Sequence, residues 1–251
     1  LRKAQPDRSE GKYPLVIVYH GYPGSRLLLS YLTENLASKG YVVVAIGHTE
    51  STYSDRAAFQ STLLNRSKDV LFVLNSLAGF SGQGSKHFLS GIVDVENTGI
   101  VGYSMGGYGV LNVAGAGYSQ KMDSTFAVLS GGSHAIRVRM AGQPEYQASL
   151  DPRIKAVVAF APWGMQRGAW DKEGLKGLKT PTFFVAGSLD DVSGYEDGIK
   201  AIYCHWDGYL EYNGMLLQKH YDSAKANNLV ALGDLSSLKP EIGEAHPFGY
   251  H

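Results

Sequence analysis

The chain has 251 residues, 44% of them hydrophobic and 18% charged, with 23 basic and 23 acidic side chains and a formal charge of zero. This composition fits one globular domain with enough chain for a sizeable core, and the balanced charge argues against nucleic acid or an anionic membrane as an electrostatic partner. No apolar run reaches the roughly 18 residues that a membrane span needs, no signal-peptide pattern is visible after Leu1, and the only cysteine, Cys204, excludes an internal disulfide.

Strand-like and helix-like runs alternate along the chain, the pattern of a mostly parallel sheet covered on both faces, an α/β fold. Tyr13–Tyr19 (YPLVIVY) is a continuous apolar strand that runs into His20-Gly21-Tyr22-Pro23-Gly24. Leu27–Lys39 then has helical spacing and stops at Gly40. Tyr41–Ile46 is the next strand, followed by a polar loop through Asp55 and a long amphipathic helix over Ala57–Leu77. After a Gly/Ser-rich loop, Glu96–Val101 reads as a short strand and Met105–Ala116 as a helix of small residues. Gly117–Ser149 reads as an irregular, Gly-rich stretch. Ile154–Phe160 and Thr182–Ala186 are two further buried strands, with Trp163–Leu178 connecting them.

Between the third strand and its helix lies Gly102-Tyr103-Ser104-Met105-Gly106, a G-x-S-x-G sequence. A serine on so sharp a strand-to-helix turn needs neighbours without side-chain bulk at −2 and +2, and the turn lifts its hydroxyl clear of the sheet. Ser104 is therefore the candidate nucleophile. A tetrahedral oxyanion needs two backbone donors, one after the nucleophile and one from the loop after the first strand. Met105 and Tyr22 are the candidates for these N–H groups. An acid that orients the base belongs on the loop after a late strand, where Asp190 and Asp191 both stand; Asp190 is the choice and Asp191 the alternative. Tyr22, Tyr103, Met105 and Trp163 are candidates to line an apolar acyl or aromatic site.

Residues 11–202 resemble the α/β-hydrolase superfamily. The resemblance is carried by HGYPGSR, NLASKGYVVVAIGHT, VGYSMGGYGVLNVAGAGY, DPRIKAVVAFAPWGMQRG and GLKTPTFFVAGSLDDVSGYEDGIKAI. Within the superfamily these motifs look like dienelactone-hydrolase-like and platelet-activating-factor-acetylhydrolase-like esterases, and GYSMGG is also similar to bacterial cutinase-like polyesterases. The resemblance implies a Ser–His–Asp triad with no metal and no organic cofactor, and a small-molecule or polymeric ester as substrate. It also favours a secreted or periplasmic setting over a cytoplasmic one. It further implies one or two strands before Tyr13–Tyr19, so the expected sheet is truncated at its front edge.

Residues 203–251 do not resemble a hydrolase terminus, and they stand where the last strand and the histidine loop are expected. The chain thus divides into a hydrolase core over 1–202 and an atypical segment over 203–251. His20 belongs to the loop after the first strand, and His48, His87 and His134 read as polar loop or packing residues. Among the later histidines, His220 lies 30 residues after Asp190, the separation that the resemblance leads one to expect, but it falls in a helical pattern over 214–232. His246, in EAHPFGY, has the loop context. His220 is the choice for the base, His246 the alternative, and a chain with no competent histidine would be a non-catalytic, hydrolase-fold binding protein. The tail is expected to cover the open edge of the last strand, with Tyr209–Tyr212 as a substitute strand or 214–232 as a covering helix. Oligomeric state is left open by the sequence.

Overall fold

The computed structural model describes residues 6–9 and 11–205. Five strands, β1 (Tyr13–Tyr19), β2 (Val42–Ile46), β3 (Val93–Tyr103), β4 (Ile154–Phe160) and β5 (Thr182–Val185), form one sheet in the order β2-β1-β3-β4-β5. Every pairing is parallel. Helices α1 (Ser30–Ala37), α2 (Phe59–Ser81), α3 (Met105–Val113), α4 (Gln120–Leu129), α5 (Pro144–Ala148), α6 (Lys172–Leu175) and α7 (Lys200–His205) fill the connections. This is the α/β-hydrolase fold that the sequence predicts.

Side chains alternate across a strand with a period of two, so a strand buried on both faces sorts its residues into two cores. In β1, Leu15, Ile17 and Tyr19 enter the larger core with Leu63, Val70 and Leu74 of α2 and Tyr108 and Leu111 of α3. Val16 and Val18 enter a smaller core with Val101 and Leu29, backed by Leu32 and Leu36. The faces are covered unequally. The helix α3 is buried along its whole length, whereas α1 has no fully buried residue.

The structure adds elements where the sequence reads as loop. Within Gly117–Ser149 it forms α4 and α5. The hydroxyl of Ser119 accepts from the Met122 N–H at 3.1 Å and caps α4, while Met122 and Phe126, one turn apart, are buried. The hydroxyl of Tyr146 on α5 donates to the carbonyls of Asn112 and Ala116, tying the stretch to the end of α3. The strand predicted over Glu96–Val101 is longer, because β3 pairs with Tyr13 and Pro14 at Val93 and Asp94, then shifts register so that Leu15 faces Thr98. Residues 95–97 form the irregularity, and Asp94 holds it by accepting from the Glu96 N–H and the Asn97 side chain. The helix predicted over Ala57–Leu77 is displaced a few residues to Phe59–Ser81, and that predicted over Leu27–Lys39 is shorter. At the far edge of the sheet Phe183 of β5 is 64% exposed. The expected cover for this edge, Tyr209–Tyr212 or the 214–232 helix, lies outside the described residues.

Candidate active site

Ser104 occupies the single residue between β3 and α3, with φ 54° and ψ −115°. A side chain other than glycine is rarely held there, at a cost of about 1–3 kcal/mol, unless its surroundings over-determine it. They do so here. Its N–H donates to the Phe160 carbonyl at 2.8 Å, and its own carbonyl accepts from the N–H groups of Tyr108 at 3.1 Å and Trp163 at 3.2 Å. The flanking glycines are required by closeness: a Cβ on Gly102 would stand 2.3 Å from the Gly106 carbonyl oxygen, and one on Gly106 would stand 2.7 Å from that of Tyr19. So β3, α3 and β1 meet at backbone-to-backbone distance, and Ser104 sits half-buried above the junction. Met105 is the first residue of α3, so its N–H has no acceptor within the helix.

The loop after β1 lies against this serine, since a Cβ on Gly21 would be 3.3 Å from Ser104 Cβ. Tyr22 anchors the loop outward by donating its hydroxyl to the Arg56 carbonyl at 3.1 Å. Inward it is held by a buried polar cluster. Arg66 of α2, 1% exposed, donates to the carbonyls of His20 at 2.6 Å and Gly21 at 3.0 Å, and to the hydroxyl of Ser51. His48 Nδ1 is 2.6 Å from an oxygen of Asp69. Burial lowers both His20 and His48 to about 4, so both rings are neutral at neutral pH. Burial also lowers Arg66, to about 10, which leaves it charged.

The candidate lining residues divide between two places. Tyr22, Phe59 and Trp163 form an edge-to-face row, with ring centroids 5.1 Å and 5.7 Å apart. Tyr103 faces elsewhere, into an apolar cavity of about 510 Å³ with Leu28, Leu32, Phe160, Val185 and Gly187. The Met105 side chain lines neither: it is 2% exposed and packed in the larger core. Its side-chain role is thereby corrected, because the first turn of α3 points inward.

Asp190 lies on the loop after β5, at the same end of the sheet as Ser104, and its Oδ1 accepts from the N–H groups of Val192 at 3.0 Å and Ser193 at 2.9 Å. Asp191 is exposed. Both histidine candidates, His220 and His246, lie outside the described residues. Among the described residues no imidazole is hydrogen-bonded to the Ser104 hydroxyl. His20 and His48 belong to the Arg66 cluster, His87 stacks between Phe80 and Phe88, and His134 bonds Asp123 at 3.0 Å. Among the described residues no group of three or more His, Cys, Asp or Glu side chains is placed to hold a metal ion, and no helix is long and apolar enough to cross a membrane.

Sequence reading missed Arg66, Asp69 and Phe59. Arg66 had a signal: it falls on the buried stripe of α2, between Leu63 and Val70, where a cation must find partners. Phe59 had none, since its neighbours in the row come from residues 22 and 163.

Comparison with known proteins agrees with this architecture. The chain is 22% identical over 242 residues to cutinase est2 of Thermobifida alba, covering 94% of this chain and 62% of that protein. It is 22% identical over 241 residues to the bis(hydroxyethyl) terephthalate hydrolase of Streptomyces coelicolor, covering 94% and 59%. With cutinase cut1 of Thermobifida fusca it shares 23% identity over 186 residues, 74% of this chain and 42% of that protein. The chain spans about three-fifths of the length of the first two of these curated relatives. Residues 4–130, half of the chain, match the family model described as PET hydrolase-like (PETase), and the chain belongs to that family.

Proposed function

We propose that this chain is a serine esterase that hydrolyses carboxylic esters through an acyl-enzyme. The observation that carries the reading is Ser104 itself, held at φ 54° on the turn between β3 and α3 by three backbone hydrogen bonds. In this reading His220 takes the Ser104 proton as Oγ attacks the ester carbonyl, and Asp190 orients the imidazole and stabilises its charged form. The N–H groups of Tyr22 and Met105 receive the oxyanion. The alkoxide leaves with the proton from the imidazolium, and water, activated by the same histidine, releases the acid. The two hydrogen bonds that Asp190 accepts support its part by holding the carboxylate in one orientation.

The row of Tyr22, Phe59 and Trp163 suits an aromatic acyl group, which packs edge-to-face against such rings. Relatives named as cutinases and as a bis(hydroxyethyl) terephthalate hydrolase support an aromatic diester or a polyester as the substrate class. The likeness to dienelactone-hydrolase-like esterases supports the same chemistry on smaller esters. A polymeric substrate is met outside the cytoplasm, in keeping with a secreted or periplasmic setting.

The test is turnover of p-nitrophenyl acetate and bis(hydroxyethyl) terephthalate by the full chain and by Ser104→Ala, with the site of fluorophosphonate labelling mapped by mass spectrometry. Labelling of Ser104 and loss of turnover in Ser104→Ala are expected. Turnover that survives Ser104→Ala rejects Ser104 as the nucleophile, and a chain that neither labels nor turns over returns the reading to a hydrolase-fold binding protein.

A further inference from the structure

Arg66 is the only charged side chain among the buried residues of α2. Burying a cation is costly unless it is hydrogen-bonded and its charge is balanced. Nε has no hydrogen-bond partner among the described residues, and the two terminal nitrogens are spent on two successive carbonyls of the loop after β1. Nη1 donates to the His20 carbonyl at 2.6 Å and Nη2 to the Gly21 carbonyl at 3.0 Å. A planar guanidinium can span adjacent carbonyls in this way, whereas the ammonium of a lysine is a single point of contact.

The Gly21 carbonyl has a second donor. His20 Nδ1 lies 2.7 Å from it, and because a carbonyl only accepts, the proton of the neutral ring is on Nδ1. Nε2 is then an acceptor, as its position 3.2 Å from the His48 N–H requires. The Gly21 carbonyl is thus drawn into the protein by both Arg66 and His20. The Gly21–Tyr22 peptide is trans, and a trans peptide is planar with its C=O and N–H directed to opposite sides. Holding the carbonyl inward therefore turns the Tyr22 N–H outward, at the segment where Gly21 lies against Ser104.

We propose that Arg66, assisted by His20, is a positioning residue that sets the orientation of the Gly21–Tyr22 peptide and so aims the Tyr22 N–H at the oxyanion. The role rests on the esterase reading of Ser104. It accounts for a buried cation whose side chain touches no reacting atom. Asp69, hydrogen-bonded to His48 beside it, supplies the balancing negative charge.

The experiment uses the full chain with Arg66→Lys and Arg66→Met, assayed with p-nitrophenyl acetate well below each variant's melting temperature, together with crystal structures of wild type and the folded variants. Loss of one aimed donor lowers kcat by about 10²-fold. Because that donor acts on the transition state, KM is expected to change by less than about two-fold. The Gly21–Tyr22 peptide is expected to rotate in Arg66→Met. Arg66→Lys keeps the charge and serves if Arg66→Met does not fold. An unchanged kcat in a folded variant, or a fall that disappears once the assay temperature is lowered relative to the melt, overturns the proposal, as does an unrotated peptide. If wild type and Ser104→Ala turn over substrate equally slowly, the esterase reading fails by itself, and the orientation of the Gly21 carbonyl in the variant crystal structures alone decides whether Arg66 sets this peptide.

Discussion

The sharpest mechanical test of this site is the pair Gly102→Ala and Gly99→Ala, two substitutions three residues apart on the same strand. A Cβ at Gly102 would lie 2.3 Å from the Gly106 carbonyl oxygen, 2.4 Å from the Gly106 carbonyl carbon and 2.6 Å from Val110 Cγ2. Non-bonded carbons prefer about 3.5–4.0 Å, so α3 must move off β3 by about 1 Å. The first obstacle is backbone, which cannot rotate away, and every residue of α3 is buried, so the displacement spreads into the larger core. Overpacking of this kind typically costs about 1–3 kcal/mol, and the upper end is expected here. With a urea m-value of about 2 kcal/mol/M the midpoint falls by about 1.5 M. At Gly99 the added Cβ finds its nearest neighbours at 3.9 Å, the Ala156 carbonyl and a Val16 methyl, which is ordinary contact. Alanine in a strand there is expected to be neutral or to stabilise by about 0.5–1 kcal/mol. Urea denaturation followed by circular dichroism reads both. Turnover of p-nitrophenyl acetate reads the second consequence, because a displacement of about 1 Å of Ser104 and its Met105 amide relative to the loop after β1 can cost about 10²-fold in rate. Equal midpoints for the two variants would refute the close-approach account of the G-x-S-x-G sequence.

Asp190→Asn is expected to lower kcat by orders of magnitude while Asp191→Asn stays near wild type; the reverse result exchanges their roles. His220→Ala should abolish fluorophosphonate labelling of Ser104 and His246→Ala should not, and labelling that depends on His246 alone moves the base there. The neutral pair His20 and His48 also makes stability pH-dependent. Both sit at about 4 in the folded protein against an ordinary 6.5, so between those values the unfolded chain binds more protons. Their contribution is complete above about pH 6.5 and is lost as the pH falls toward 4, about 3 kcal/mol for the buried His48. Urea midpoints measured from pH 7.5 to 4.5 should fall accordingly, with a shallower fall in His48→Gln, and an identical slope in that variant would contradict the assignment.

Local pattern was enough wherever one short segment carries its own instructions. The continuous apolar run of β1 states that both its faces are buried, and its repetition in β4 and β5 between helical segments predicts a parallel sheet with helices on each side, although at the edge Phe183 of β5 is left exposed. The sequence Gly102-Tyr103-Ser104-Met105-Gly106 likewise announces its turn, because only glycines allow the backbone approach that the turn needs. Helix α4 was legible in principle, through the Ser119 cap and the spacing of Met122 and Phe126, but the surrounding glycines masked it.

Other features exist only once the chain has folded. Thr98 faces Leu15 because Asp94 holds a three-residue irregularity that no periodicity reveals. The row of Tyr22, Phe59 and Trp163 joins three segments far apart in sequence, and each ring taken singly reads as core. Arg66 is the clearest case. Its position on the apolar stripe of α2 shows that it must be buried, but which groups it meets depends on how α2 packs against the loop after β1. Side-chain periodicity is a property of one element, whereas hydrogen-bond partners, and the direction in which a carbonyl or an N–H points, are set where elements meet.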